Sequence, residues 1–348
     1  MLGRRHQIIA AITIGLGFAT VGGGQNPGFT LAVDVEAVTL DVSVTDANGR
    51  VVRDLTRGDF DLFDDGVPRS IRYFGPGTAP YHTFVLVDGS GSTSHKLDFM
   101  RRAVAAYTDT VLDADRVRVG VFGSDLQLFS SWSVPPDLAY RYFESGFDPD
   151  DLSGTTELYW ALDKVMDDGF KDGGSDIRER RAIVVLTDGR DISLYQELVQ
   201  RNRLMSIADD DSFQKLYRDA VRSGIAIYFV ALNTDLNFDA NDPGSDEYER
   251  LSWFFGDSPM PERYLEQVRL RMEALAEATG GRVYYPLTIG DIVEPFEEIA
   301  RSLGGAYSLG FEPSRTGAVE TETRSIEVRV HREGLIVRQS RDSYPATR

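Results

Sequence analysis

At 348 residues and 42% hydrophobic content, the chain is long enough for two domains with buried cores. A net charge of −18 and a pI near 4.7 argue against nucleic acid or anionic lipid as partners, because phosphate recognition needs clustered Lys and Arg. There is no cysteine, and the only histidines are His6, His82, His95 and His331. Disulfides, thiolate metal sites, a cysteine nucleophile and a multi-histidine zinc cluster are therefore excluded.

The N-terminus reads as a secretory signal over residues 1–25. Arg4 and Arg5 precede an apolar run from Ile8 to Val21, and small residues follow through Gly24. The run is shorter than the roughly 20 residues of a membrane-spanning helix, and no second segment of that length exists. The expectation is an exported protein, periplasmic or extracellular, with no stable membrane span once the signal is removed. An uncleaved anchor is the alternative.

After a glycine-rich tether (22–28), residues 32–76 read as an N-terminal β piece. Val38, Leu40, Val42 and Val44 alternate with polar residues, the period of a half-buried strand. Asp46-Ala47-Asn48-Gly49 predicts a hairpin turn returning through Val51-Val52. Phe60 to Phe63 predicts a strand, Asp64-Asp65-Gly66 a second turn, and Ser70 to Phe74 a last strand before the Pro76-Gly77 linker. Arg57-Gly58-Asp59 spells an integrin-recognition tripeptide, which is read here as coincidence at the start of a strand.

From residue 80 the pattern changes. Thr83-Phe84-Val85-Leu86-Val87 predicts a buried strand that delivers the loop Asp88-Gly89-Ser90-Gly91-Ser92 at its C-terminal end. A carboxylate and two hydroxyls recur at alternate positions, so they leave an extended segment on one side, and the glycines let the backbone bend tightly. Three hard oxygen donors in one turn suit a small divalent cation such as Mg²⁺ or Mn²⁺. A helix follows, with Leu97, Met100, Val104, Tyr107 and Val111 stepping by three and four. Strands are predicted at Val117–Phe122, Leu126–Phe129, Ala182–Leu186, Ile225–Leu232 and Arg282–Tyr285. Helices are predicted at Leu158–Met166, Phe213–Val221, Tyr264–Thr279 and Ile292–Leu303. Strands separated by helices imply crossovers and a doubly wound, mostly parallel α/β sheet with helices on both faces. Tyr307–Phe311, Ser325–Val330 and Leu335–Val337 return to β signals, with a hairpin expected at Glu333-Gly334. Residues 305–345 are expected to pack with 32–76 as a small β-sandwich-like domain.

Ala182–Leu186 ends in Thr187-Asp188-Gly189, which repeats the design of the first strand: an apolar run, then a carboxylate at the sheet edge. Ligands of doubly wound sheets bind outside the carboxyl ends of strands, where strand order reverses. Asp88 and Asp188 meet there if their strands are neighbours. Between them, Ser153-Gly154-Thr155-Thr156-Glu157-Leu158 is a hydroxyl-bearing loop opening a helix.

This set resembles the von Willebrand factor type A domain with its metal-ion-dependent adhesion site, over residues 80–303. Asp88, Ser90 and Ser92 match the Asp-x-Ser-x-Ser motif, Asp188 matches the aspartate after a later strand, and Thr156 before Glu157-Leu158-Tyr159 matches the family's threonine, with Thr155 in reserve. The flanks resemble a subgroup of bacterial exported proteins. The resemblance implies Mg²⁺ (or Mn²⁺ or Ca²⁺) at these five residues and no catalysis. It also implies capture of a carboxylate from a partner protein. The competing readings are a metal-dependent hydrolase, for which only Asp191 or His95 is placed in sequence to act as a base, and a structural module with an unused metal site.

Weaker signals lie in an insertion, 233–261. Asp235, Asn237, Asp239 and Asn241 alternate like a calcium loop, but Ala240 stands where glycine is needed, so a solvated acidic loop is the better reading. Tyr248, Trp253, Phe254 and Phe255 read equally as partner-contacting aromatics and as packing of a long loop. Gly89-Ser90-Gly91 lacks the nucleophile-elbow spacing, and no phosphate-binding glycine loop occurs.

Overall fold

A computed structural model describes residues 37–90, 97–148, 155–172, 175–177, 180–232, 260–286, 289–313 and 323–345. The signal segment, Ser92, His95 and the body of the insertion, with its calcium-like and aromatic motifs, lie outside these residues.

In chain order, the N-terminal flank contributes β1 (Val38–Thr45), β2 (Phe60–Asp64), β3 (Val67–Arg69) and β4 (Tyr73–Gly75). The middle of the chain follows as β5 (His82–Asp88), α1 (Leu97–Thr110), β6 (Arg116–Phe122), β7 (Leu126–Leu128), α2 (Pro136–Gly146) and α3 (Leu158–Lys164). A short hairpin, β8 (Lys171–Asp172) and β9 (Ser175–Asp176), precedes β10 (Arg181–Thr187), α4 (Ile192–Arg201) and α5 (Asp211–Ser223). Then come β11 (Ala226–Ala231), α6 (Met260–Thr279), β12 (Val283–Tyr284) and α7 (Val293–Leu303). The C-terminal flank supplies β13 (Tyr307–Phe311), β14 (Thr323–Val330), β15 (Ile336–Gln339) and β16 (Ser343–Pro345).

The central sheet has six strands in the order β12-β11-β10-β5-β6-β7. All neighbours are parallel except β6 and β7, an antiparallel pair at one edge. The doubly wound fold class expected from alternating strand and helix signals is the one observed. Thr83–Asp88, Ala182–Thr187 and Ala226–Ala231 are buried throughout, as strands covered on both faces must be. Alternation sorts their side chains. Phe84, Leu86, Ile183, Val185, Ile227 and Phe229 face the layer of α3, α4, α5 and α6. Val85, Val87, Val184, Leu186 and Val230 face α1, α2 and α7 on the other side.

The two flanks form two four-stranded antiparallel sheets, β15-β1-β13-β4 and β16-β14-β2-β3. Each sheet combines strands from both ends of the chain: Val38 pairs with Phe311 in one, and Leu62 with Val328 in the other. Phe60 meets Tyr307 at 5.0 Å between ring centroids and Phe311 meets Tyr344 at 5.7 Å, so aromatic side chains fill the space between the layers of a sandwich.

Two local expectations are corrected. The hairpin of Ser325–Val330 with Leu335–Val337 does not form, because β14 pairs with β2 and β16 while β15 pairs with β1. Splitting the strands covers an edge in each layer, and the Gln339 side chain stands in for the missing ladder by donating to Ile326 O (2.7 Å) and accepting from Val328 N (2.9 Å). Val51 returns only as an isolated bridge to Thr45. The strand expected to start at Asp59-Phe60 does begin at Phe60, after a single 3₁₀ turn over Arg57-Gly58-Asp59 in which the Asp59 carboxylate is held by the Thr56 backbone and hydroxyl at 2.7 Å each. Helices α2 and α4 and strand β3 are additions to the sequence reading. Asp65 and Gly66, both with positive φ, make the tight β2–β3 turn whose twist matches paired strands. Among the described residues, no helix is long and apolar enough to cross a membrane.

Asp64 is fully buried and ties the second sheet across the chain. It accepts from Arg69 (3.2 Å), Arg324 (2.8 Å) and the Tyr344 hydroxyl (2.8 Å). Breaking a buried ion pair by removing one partner costs about 3 kcal/mol or more. Asp64→Ala is therefore expected to lower the unfolding free energy in urea by about 3 kcal/mol, whereas Val67→Thr at an exposed position should stay within about 0.5 kcal/mol.

Candidate functional site

Strand order reverses between the parallel neighbours β5 and β10: from β5 the chain moves to β6 and β7 on one side, and from β10 to β11 and β12 on the other. Both end in a carboxylate: Asp88 closes β5, and Asp188 follows β10 directly. Leu186 lies level with Val87, so the two loops start side by side. Asp88 and Asp188 are 0% and 2% exposed, and Ser90 is 2% exposed. Thr187 connects the loops: its hydroxyl donates to Asp88 Oδ2 at 2.6 Å and accepts from the Gly189 backbone N–H at 2.9 Å. The Ser90 backbone N–H donates to Asp88 Oδ1 at 3.0 Å.

The surrounding loops are stitched together through backbone groups. Gly89 N–H donates to Phe122 O, Glu157 N–H to Gly123 O, Ile192 N–H to Thr156 O and Leu232 N–H to Thr187 O. The Thr156 loop is thereby joined to the one that follows Asp188. Thr156 is half-buried and Thr155 exposed, so this side of the site reaches the surface. Gly189 has φ +75°, and a Cβ there would fall 2.8 Å from Met272 and 2.9 Å from Val268. Helix α6 thus presses on the Asp188 loop so closely that only glycine fits.

Asp191, considered from sequence as a catalytic base, has another job. It is 4% exposed and caps α4, with Oδ1 accepting from the Ser193 backbone (2.9 Å) and hydroxyl (2.5 Å) while Oδ2 accepts from Tyr159 N–H at the start of α3 (3.0 Å). Its carboxylate holds two loops together. Tyr159 continues the support, donating at 3.4 Å to Asp210, itself paired at 3.2 Å with buried Arg271 of α6.

Electrostatics follow from geometry. Burial, with the neighbouring Asp188 charge adding to it, pushes the Asp88 carboxyl up to about 7, against hydrogen bonds from Thr187 and Ser90 that favour the ionised form. Burial likewise raises Asp191. Of the residues singled out from sequence, the structure brings Asp88, Ser90 and Asp188 together and joins the Thr156 loop to them; Ser92 is outside the described residues. Sequence reasoning did not identify Thr187 as the bridge, nor Arg190, whose guanidinium lies 3.7 Å from Asp188 Oδ2. The Thr in Thr-Asp-Gly was visible, but nothing in sequence says which carboxylate its hydroxyl reaches.

No protein-family model and no curated relative matches the chain. Among solved structures, it is similar to a von Willebrand factor type A protein from Catenulispora acidiphila, with 11% identity, 91% of this chain and 71% of that one covered, and a TM-score of 0.44. It is also similar to an aerotolerance-related membrane protein from Bacteroides fragilis NCTC 9343 carrying multiple mutations to serine (14% identity, 64% and 98% covered, TM-score 0.39). A third is the conserved hypothetical protein BatB from Bacteroides thetaiotaomicron (14%, 64% and 97%, TM-score 0.40). The type A-like fold is read from this chain's own sheet: its strand order, its antiparallel edge, and the placement of Asp88 with Ser90 and of Thr187-Asp188-Gly189 at adjacent strand ends.

A carboxyl whose folded pKa lies above its unfolded value costs stability once it ionises. Without metal, stability should therefore fall as pH rises from about 4, the unfolded value, to about 7. Asp88→Asn keeps an acceptor for Thr187 and removes the charge. Thermal unfolding in EDTA is expected to show a flatter pH profile for this variant, and a higher melting temperature than wild type above pH 7.

Proposed function

We propose that this type A-like chain is an exported, divalent-cation-dependent protein-binding module, with Asp88, Ser90, Ser92, Thr156 and Asp188 holding Mg²⁺ (or Mn²⁺ or Ca²⁺) and a partner protein supplying a carboxylate. The observation that carries the reading is the meeting of two buried carboxylates from non-consecutive strands at the switch point, beside hydroxyl-bearing loops. Carboxylate and hydroxyl oxygens with no sulfur or imidazole are a hard donor set, suited to these cations and unsuited to softer metals. The raised Asp88 carboxyl marks excess negative charge that a divalent cation would neutralise.

Bound there, the cation supplies a positive charge with a coordination position for a carboxylate. The chain's own residues do the rest. Serine and threonine hydroxyls are neutral, so they hold the ion without cancelling its charge. Thr187 and the Ser90 backbone orient Asp88, while Asp191 fixes the Thr156 loop against the Asp188 loop. A chain with net charge −18 repels acidic partners elsewhere, so capture is confined to this point. Export rests on Arg4-Arg5 and the Ile8–Val21 run.

Thermal unfolding in EDTA and then in Mg²⁺, Mn²⁺ or Ca²⁺ tests the site. A ligand selective for the native state stabilises by about 2.7 kcal/mol at a hundredfold excess over Kd. Wild type is expected to shift and the Ser90→Ala, Ser92→Ala double variant to stay put; no shift in wild type at millimolar metal rejects the site. Proteins retained on the immobilised chain in Mg²⁺ and released by EDTA, but not retained by the double variant, complete the test. Retention indifferent to EDTA rejects cation dependence.

A further inference from the structure

Apart from the candidate cation site, an open cavity of about 450 Å³ lies between the C-terminal half of α6, the segment around β12 and the turn 340–343 that joins β15 to β16. Small-molecule sites occupy clefts of about 300–1,000 Å³ in which a few placed polar groups fix the ligand. The lining of this one is divided by charge. Arg341 supplies the cation: its Nη1 donates to Ala278 O at 2.6 Å and its Nη2 to Thr39 O, while its Nε is buried without a hydrogen-bond partner. Among the described residues, no carboxylate lies within ion-pair distance of this guanidinium. Burial pulls it down to about 10, with the Asp41 charge opposing, so it stays charged at neutral pH with no counter-ion in contact. A buried charge left unpaired is costly, and an anion placed against it offsets that cost. The α6 wall is anionic. Glu273 and Glu277 lie one turn apart on one face of the helix, which has no basic residue of its own in its last turn. Glu277 is exposed and has no side-chain partner among the described residues. Glu273 accepts from the Tyr285 hydroxyl through Oε1 at 2.8 Å, which holds it against the β12 segment and leaves Oε2. The other charged residues of the lining are engaged elsewhere: Asp342 accepts from Gln339 at 2.9 Å, and Arg282 lies 3.5 Å from Glu298.

We propose that this cavity binds a small zwitterion of the α-amino acid class, its carboxylate against Arg341 and its ammonium group against Glu277 and Glu273. A simple anion would meet two carboxylates that no cation balances, and a simple cation would meet a buried arginine. A molecule carrying both charges a few bonds apart satisfies both walls at once. Its own net charge is zero, so it approaches a chain of net charge −18 without long-range repulsion. Recognition runs through the two charged ends, so the ligand's side chain is read less strictly than its amino and carboxylate groups. None of these residues belongs to the candidate cation site, so the inference goes beyond that reading and is tested apart from it.

Calorimetric titration of the full-length chain in EDTA, which keeps divalent cations away, uses L-alanine and L-leucine at up to millimolar concentration. Each is run beside the acid that lacks its ammonium group (propionate, isocaproate) and the amine that lacks its carboxylate (ethylamine, isoamylamine). At least one amino acid is expected to bind, about tenfold or more tightly than its acid and its amine. Glu277→Gln is expected to weaken that binding about tenfold. Without ligand it should melt at the wild-type temperature, because the residue is exposed and unpaired among the described residues. Arg341→Gln is expected to abolish binding. Since Arg341 also holds two backbone carbonyls, Glu277→Gln decides the question where Arg341→Gln does not fold. No binding of either amino acid by wild type, an acid or amine bound as tightly as its parent, or binding unchanged in Glu277→Gln overturns the inference. Each of these results leaves the cation site standing, because that site is read by the melting shift in Mg²⁺.

Discussion

Two carboxylates of like charge cannot share a dry corner of a protein unless the scaffold forces them there and something offsets their repulsion. Asp88 and Asp188 are in that position, each at the end of a strand buried on both faces. The force comes from the sheet: β5 and β10 pair in register over most of their length, and helices seal both sides. The offset comes from oriented donors. The Thr187 hydroxyl, the Ser90 and Arg190 backbone N–H groups and the Arg190 guanidinium all point positive charge toward the pair. The raised Asp88 carboxyl shows that the offset is incomplete. A stable core is thus used to hold an electrostatically unfavourable edge.

The same logic explains the support around that edge. Asp191, Tyr159, Asp210 and Arg271 form a buried chain of polar contacts from the Asp188 loop through α3 to α6. Their polar atoms are satisfied, so the network positions loops rather than offering reactive groups. Helix α6 closes it sterically over Gly189. At the far side of the molecule, Asp41 accepts from Tyr81 and Ser308 at 2.7 Å each, and Arg180 donates to carbonyls of Pro76, Ala79, Leu303 and Ala306. These contacts fasten the flanking sandwich to the α/β unit.

The sandwich shows where local reading stops. Alternation in Val38–Val44 and Ser325–Val330 announced strands, and Gly334 with φ +76° does turn the chain. Which strand pairs with which is a long-range decision. Partners such as Leu62 and Val328 lie far apart in the chain, and two strands near each other in sequence, β14 and β15, are split between layers. Helices α2 and α4 were missed although each buries an apolar stripe, Ala139 and Phe143 in one and Leu194 and Leu198 in the other.

By itself, the sequence determined the class of the fold and the chemistry of the candidate site. Periodicity depends on neighbours in the chain, and residue type at a strand end depends on nothing else, so apolar runs closed by Asp88 and Asp188 could be read directly. Tertiary structure alone decided which groups face those carboxylates. Thr187 could have bonded within its own loop but reaches Asp88, Asp191 looked available but is tied to Ser193 and Tyr159, and Arg190, not singled out from sequence, is buried beside Asp188. Burial, charge compensation and hydrogen-bond pairing are properties of a place in space, and that place exists only after distant segments have met.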